Sequence, residues 1–315
     1  MDKTAIVGCG FIGRAWALSF ARAGHEVALW DEDSGQSTKA LHFIEDMAGD
    51  LERYDLLGGQ TPAAVLSRIR AADSFADALA GARHIQENTP EVLATKRAVF
   101  ACLDGLAAGD AVIASSTSAL LPSRFTDGLA GRRRCLVVHP LNPPYLIRAV
   151  EVVPAPWTSP ETVERTRAFL QAAGQTPLVM KREIDGFIMN RMQGAVLEEA
   201  FRLVADGYAS VEDVDLGIRE GLAARWSFMG PFETIDLNAP GGVRDYVERY
   251  QSIYERLFPQ MQRRVDWAGP VLDVVETERR RCMPQAAMQE RLRWRDRRLM
   301  ALAAHKRQAL QDVGE

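Results

Sequence analysis

Apolar runs too short for helices recur along the chain as far as Lys181, each followed by a longer stretch with apolar residues at helical spacing. Thr4 to Val7, Glu26 to Trp30, Ala111 to Ala114, Cys135 to Val138, Ala149 to Val153 and Thr176 to Met180 read as strands. The most apolar of them, 111–114 and 135–138, have the character of strands buried on both faces. Arg83 to Asn88 reads as a further strand, with little support from its composition. Helical patterns cover Arg14 to Ala23, stopped by Gly24, then two segments between Ser34 and Ala72 joined around Gly58-Gly59 and ending in a short Asp73-Ser74-Phe75 segment. Two more run from about Leu93 to Leu106 and from about Pro160 to Ala173. This alternation predicts an α/β domain over 1–184, a doubly wound and mostly parallel sheet. After Glu183-Ile184-Asp185-Gly186 the texture changes. Phe187 to Asp206 is one long helix, and with no convincing strand beyond it, 185–315 is expected to be an all-helical substrate and dimerisation domain.

The first strand runs into Gly8-Cys9-Gly10-Phe11-Ile12-Gly13, a GxGxxG set between a strand and a helix. Gly8 permits the tight turn, Gly10 lets the backbone approach a pyrophosphate, and Gly13 lets the helix pack closely on the strand. The amino end of the helix, with Phe11 and Ile12, then holds the phosphates. Asp31, at the end of the second strand, is placed to bind ribose hydroxyls and to repel a 2′-phosphate, which favours NAD over NADP. The reading is a Rossmann-type dinucleotide domain; the alternative is a glycine turn in another α/β fold.

The buried run 135–138 delivers His139 to its carboxyl end, where open α/β sheets hold ligands. The next apolar run carries a single acid, Glu151, which needs a partner if it is buried. A carboxylate on one ring nitrogen would fix the tautomer of His139 and stabilise the imidazolium formed when the ring takes a proton. The plainer alternative is a histidine packed beside the turn Pro140-Leu141-Asn142-Pro143-Pro144. Glu87 and Lys96, near a strand end and a helix start, either reach the nicotinamide half of the cofactor or form a surface ion pair. Ser115-Ser116-Thr117-Ser118 puts four hydroxyls at a strand end, to cap the next helix or to bond a ligand oxygen. Asn190 lies in the first turn of the long helix near the domain junction, either in a polar role or facing solvent. Gln289 to Gln308 closes the chain as a strongly basic helix, read as a solvated face or as a surface for a carboxylate or a partner subunit.

Composition narrows the classes. With 315 residues, 47% hydrophobic and 25% charged, the chain has room for two packed domains. A net charge of -4 supplies no broad basic surface for nucleic acid or anionic lipid. Cys9, Cys102, Cys135 and Cys282 are widely spaced without a CxxC pair, the first three in apolar surroundings, which suits a reducing cytoplasm. No bound metal is expected. No basic and apolar leader precedes the first strand, and no run approaches the ~18 apolar residues of a membrane span, so neither export nor membrane insertion is expected.

Taken together, the glycine motif with its acid, Ser118-Ala119-Leu120, His139 to Pro143, Glu151, Gly186-Phe187-Ile188-Met189-Asn190-Arg191 and Met229-Gly230-Pro231-Phe232-Glu233 resemble the L-3-hydroxyacyl-CoA dehydrogenase superfamily over nearly the whole chain. Within it, Ser115 to Ser118, His139 to Tyr145, Arg225 with Phe228 to Pro231, and Arg293-Trp294-Arg295-Asp296 look most like the lambda-crystallin and L-gulonate 3-dehydrogenase branch. The acyl-CoA enzymes tend to carry Asn at the position of Ser116 and a longer, lysine-rich hairpin after the second strand. Here that hairpin is short and nearly neutral. The resemblance implies that His139 takes the proton of a secondary alcohol as its carbon gives a hydride to NAD, that Glu151 orients the imidazole, and that Ser118 and Asn190 hold the reacting oxygen. It also implies a homodimer through the helical domain. Arg225, and beyond it Arg148, are candidates for a substrate carboxylate, with Asn142 a further substrate contact. Three readings follow: an NAD-dependent dehydrogenase of a small 3-hydroxy acid such as L-gulonate; the same chemistry on an acyl-CoA or on carnitine, for which Trp226 supplies an aromatic wall; and a non-catalytic dinucleotide-binding protein of crystallin type. The quartet Ser118, His139, Glu151 and Asn190 argues against the third.

Overall fold

A computed structural model describes residues 2–314. The chain forms two compact units, one of residues 1–188 with 292–315, the other of 189–291. The first holds β1 (Lys3–Val7), α1 (Phe11–Arg22), β2 (Glu26–Trp30), α2 (Ser34–Arg53), α3 (Pro62–Leu66), β3 (Ile69–Ala71), α4 (Phe75–Leu79), β4 (His84–Glu87), α5 (Leu93–Leu106), β5 (Val112–Ser115), α6 (Ser123–Thr126), β6 (Cys135–Pro140), β7 (Ala149–Pro154), α7 (Pro160–Ala172) and β8 (Thr176–Val179). These strands make one eight-stranded sheet in the order β3-β2-β1-β4-β5-β6-β7-β8. It is a Rossmann-type sheet, parallel except where β7 runs against β6. The apolar strand residues divide between two cores, one per face. Trp16, Phe20, Ile44 and Leu170 pack on one side, and Ile85, Phe100, Phe125 and Phe187 on the other.

Two local expectations are corrected. Ile69–Ala71, read as the end of a helix, is the edge strand β3, paired in parallel with Val27 to Leu29. Only Ile69 of its three residues is buried, so no apolar pattern marks it. Cys102 is exposed on α5, whereas Cys9 and Cys135 are buried. Burial pushes those two thiols up to about 11 and about 12. The polar strand β4 is buried at every position. Its side chains are paired: His84 Nε2 with Gln86 Oε1 at 3.0 Å, and Glu87 with Lys96.

The second unit holds α8 (Met189–Ala205), α9 (Val211–Leu216), a π-helical turn at Gly217–Leu222, α10 (Ala223–Trp226), α11 (Pro231–Asp236), α12 (Gly242–Met261) and α13 (Pro270–Cys282). Arg202 on α8 is a buried anchor, its guanidinium on the Arg263 carbonyl and on Glu198 and Glu199. Phe201 and Trp267 stack with ring centres 5.0 Å apart.

The last helix, α14 (Met288–Val313), differs from the boundary expected at 184/185. From Leu292 onward it belongs to the first unit. Met300 is fully buried in the core with Trp16 and Phe20. Arg297 and Arg307 pair with Asp50 and Asp55 around α2, and Tyr145 donates to Asp296 at 3.2 Å. The basic residues that read as a solvated face thus include two that answer the acids of the α2 segment.

Candidate functional site

His139 and Glu151 stand directly opposite each other in the antiparallel β6–β7 ladder. Residues so paired point to the same face of the sheet, and the hairpin thereby sets their side chains together. His139 Nδ1 lies 2.6 Å from Glu151 Oε2. The other carboxylate oxygen, Oε1, accepts the Ile188 N–H at 2.6 Å. Glu151 is completely buried and His139 is 4% exposed, so the acid sits where only bonded partners make a carboxylate tolerable. With Nδ1–H committed to Glu151, the neutral ring keeps its lone pair on Nε2, the nitrogen of a general base. Phe187 packs beside the imidazole with ring centres 5.6 Å apart. It is buried and its φ of +49° lies in the left-handed region, a strained conformation directly before the N–H that binds Glu151.

The loop after β5 carries the four hydroxyls, and three of them hold the loop instead of capping a helix. Ser115 Oγ donates to Glu87 Oε2 at 2.6 Å. Ser116 Oγ accepts from Trp16 Nε1 and Gln86 Nε2 and donates to Asn88 Oδ1 at 2.7 Å. Gln86 Nε2 also reaches the Val138 carbonyl, next to His139, at 3.2 Å. Thr117 Oγ1 bonds Glu91, whose same oxygen accepts the N–H groups of Ala119 and Leu120 at 3.0 and 3.3 Å. Glu91 therefore clamps both sides of Ser118, which is exposed at the carboxyl end of the sheet. Glu91 was not singled out by sequence reasoning; an acid just beyond a strand end and next to a proline is a faint signal.

Glu87 and Lys96 do form an ion pair, but a buried one and not at the surface. They form a buried pair, 0% and 1% exposed, with Lys96 Nζ 2.8 and 3.0 Å from the two carboxylate oxygens and 2.9 Å from the Thr89 carbonyl. Glu87 also takes the backbone N–H of Thr89. Their charged heads are turned into the β4–α5 junction, beneath the loop that carries Glu91, and away from solvent.

The glycine turn fits a dinucleotide. A Cβ on Gly13 would lie 1.9 Å from the Gly8 carbonyl oxygen, the close helix–strand contact that only glycine allows. Gly8 has φ +89°, and a Cβ there would press on the Asn88 backbone at 2.9 Å. A Cβ on Gly10 would meet nothing within 4 Å, which leaves the open approach a pyrophosphate requires. Asp31 Oδ2 accepts the Cys9 N–H at 2.7 Å and Oδ1 the Asp33 N–H at 3.0 Å, fixing the carboxylate beside the turn. Phe11 and Ile12 open α1.

The remaining candidates are placed less closely. Asn142, joined to Pro143 by a cis peptide bond, is exposed on the loop between β6 and β7. Arg148 Nε donates to the Gly174 carbonyl at 2.8 Å. In the second unit, Asn190 is half-buried in the first turn of α8, and Arg225 is exposed with Nη1 3.2 Å from Asn238 Oδ1. That unit contains a largely apolar cavity of about 760 Å³ lined by Met192, Asp215, Arg219 and Trp226 among others. Among the described residues no group of three His, Cys, Asp or Glu side chains is arranged to hold a metal, and no helix is long and apolar enough to cross a membrane.

Comparison with known proteins matches residues 3–184 to the model of the 3-hydroxyacyl-CoA dehydrogenase NAD binding domain and residues 186–269 to that of the C-terminal domain of the same enzymes. Lambda-crystallin of Oryctolagus cuniculus is 41% identical over 306 residues, covering 96% of each chain. L-carnitine dehydrogenase of Bacillus cereus is 38% identical over 251 residues, 79% of this chain and 76% of the relative. Among solved structures, 5-formyl-3-hydroxy-2-methylpyridine 4-carboxylic acid 5-dehydrogenase, an NAD+-dependent dismutase, superposes over 100% of both chains with a TM-score of 0.83 at 26% identity.

Proposed function

Because this chain belongs to the 3-hydroxyacyl-CoA dehydrogenase family of NAD-dependent oxidoreductases, we propose that it oxidises the 3-hydroxyl of a small hydroxy acid, with L-gulonate as the leading candidate. The observation that carries the reading is the buried His139–Glu151 pair, with one ring nitrogen bonded at 2.6 Å and the other left as a base. In this reading His139 Nε2 takes the hydroxyl proton as the carbon–hydrogen bond breaks. Glu151 offsets the positive charge that forms on the ring, and the Ile188 N–H keeps the carboxylate aligned. Ser118 and Asn190 hold the reacting oxygen. When bound, NAD supplies the acceptor for the hydride. Gly8, Gly10, Gly13 and the amino end of α1 at Phe11 and Ile12 hold its pyrophosphate, and Asp31 its adenosine ribose. Glu87 and Lys96 serve the cofactor through the loop they brace.

Preference for a small acid over an acyl-CoA is supported by the α2–α3 segment. Ser34 to Ala72 contains four basic residues, Lys39, Arg53, Arg68 and Arg70, against Glu45, Asp46, Asp50, Glu52 and Asp55. Arg53 and Arg68 are already engaged, with Asp50 and Gln60. The crystallin relative matches 96% of the chain, and the full-length structural neighbour acts on a pyridine carboxylic acid. A second reading, oxidation of carnitine, is supported by Trp226 in the cavity of the second unit, an aromatic face suited to a quaternary ammonium group. The free cysteines fit a reducing cytoplasm, and the active form is proposed to be a homodimer.

The deciding measurement is kcat/KM, from NADH formation at mildly alkaline pH, for L-gulonate, L-3-hydroxybutyryl-CoA and L-carnitine. We expect L-gulonate to exceed the CoA ester by at least about tenfold, the worth of one charge-assisted contact. A higher value for the ester or for carnitine overturns the small-acid assignment. Binding of NADH without turnover of any of the three would move the protein to the non-catalytic reading.

A further inference from the structure

The first turn of α1 holds a cation whose guanidinium is bonded by no acceptor among the described residues. Arg14 follows Gly13 of the glycine turn. The centre of its guanidinium lies 3.8 Å from the ring centroid of Phe43 on α2 and 4.5 Å from that of Phe11. The two aromatic rings flank the guanidinium but offer it no acceptor oxygen. Phe43 leans in turn on Tyr145, with ring centres 6.3 Å apart. The acid whose charge acts on Arg14 is Asp296, and both its oxygens are engaged. Oδ2 accepts from the Tyr145 hydroxyl at 3.2 Å, and Oδ1 from Arg295 Nε and Nη2 at 2.8 and 2.7 Å. Among the described residues no oxygen accepts a hydrogen bond from the Arg14 guanidinium, and its Nε is buried without a partner. Burial pulls the pKa of this guanidinium below its ordinary value, with Tyr145 and Asp296 pulling the other way. One wall, Phe11, is 67% exposed, so a solute reaches the slot.

We propose that Arg14 is an anion-recognition residue: its stacked fork receives a pair of anionic oxygens from a bound ligand, either the carboxylate of the hydroxy acid or the pyrophosphate of the dinucleotide. The inference rests on the dehydrogenase reading above. A guanidinium packed against two rings loses less freedom on binding than a free one, and its fork of donors matches the geometry of carboxylate and phosphate alike. The amino end of α1 stands at the carboxyl end of β1, the edge at which such sheets hold their ligands. Arg148 and Arg225, by contrast, already donate to Gly174 and Asn238.

Calorimetric titration separates the two sources without needing turnover. Wild type, Arg14→Leu and Arg14→Lys are titrated with L-gulonate, its uncharged amide, NADH and adenosine. Loss of a charge-assisted contact is expected to raise one dissociation constant by about ten- to hundredfold in Arg14→Leu. If that ligand is L-gulonate and the amide is unaffected, the anion is the carboxylate; if it is NADH and adenosine is unaffected, it is the pyrophosphate. Arg14→Lys should recover part of the loss. Arg14→Gln, which keeps much of the side-chain length, reads the same shift should the leucine variant not fold. All constants within twofold of wild type would overturn the proposal, as would a wild type that binds neither L-gulonate nor NADH. Binding with the Arg14 effect intact but no turnover would remove only the dehydrogenase reading.

Discussion

At the scale of single residues, the site rests on what burial demands of charge. Glu151 is fully buried, and its two oxygens are bonded by a histidine and a backbone N–H. In Glu151→Gln the amide keeps the shape and removes the charge that would stabilise the imidazolium. We expect kcat to fall by about 10²- to 10⁴-fold, the usual worth of a positioned acid–base group. The dissociation constant of NADH should stay within a factor of two, because the dinucleotide rests on other residues. Unchanged turnover would remove Glu151 from its role as the group that orients and charges the imidazole. His84 shows a different consequence of burial. It is fully enclosed, stacked on Phe169 at 4.3 Å, with Nδ1 unpartnered, and desolvation pulls its pKa down to about 4. The unfolded chain binds that proton near pH 6.5, so stability is present above 6.5 and declines as pH falls toward 4, by on the order of 3 kcal/mol in total. Melting temperature measured from pH 7.5 to 4.5 should drop less in His84→Gln than in wild type. Parallel curves would show that this histidine does not govern acid sensitivity.

At the scale of elements, strands buried on both faces were legible where their residues are apolar, whereas β4, buried at every position but polar, left little mark in the composition. β1, β2, β5, β6 and β7 carry continuous apolar runs because a sheet covered on both sides leaves no polar face. β3 was not legible, since an edge strand with one buried residue obeys no such constraint. His139 and Glu151 could be paired from sequence because an acid within an apolar strand demands a partner. The antiparallel turn that makes them direct neighbours left no mark in the apolar pattern, which is the same for either strand direction. Glu91 and Arg14 stayed hidden for a related reason. What distinguishes Glu91 is three donors brought to one oxygen from a loop 26 to 29 residues away, and for Arg14 it is an empty place in a hydrogen-bond network. Neither exists until the chain has folded. The same holds for α14, whose basic residues look like a solvated face until Arg297 and Arg307 meet acids 247 and 252 positions earlier.

At the scale of the whole molecule, the second unit leaves apolar surface uncovered. Val243, Val247, Tyr250, Tyr254, Leu257 and Met261 recur along α12 at helical spacing, each 38–43% exposed, and no residue of that helix is buried. A twenty-residue amphipathic helix with its apolar stripe open to water is unfavourable, and stripes of this size mark association surfaces. The covering partner we propose is a second copy of this chain. A two-fold axis would set the same stripe against itself, so that every substitution within it counts twice. The expected result is a dimer by light scattering at micromolar concentration, and a monomer for Val247→Asp, where a carboxylate buried at the contact without a partner costs about 3 kcal/mol or more. The test distinguishes contact from fold: far-ultraviolet circular dichroism of the aspartate variant should match wild type, because Val247 supports no core within its own unit. A wild-type monomer would leave α12 to another partner, and a Val247→Asp dimer would place the interface elsewhere.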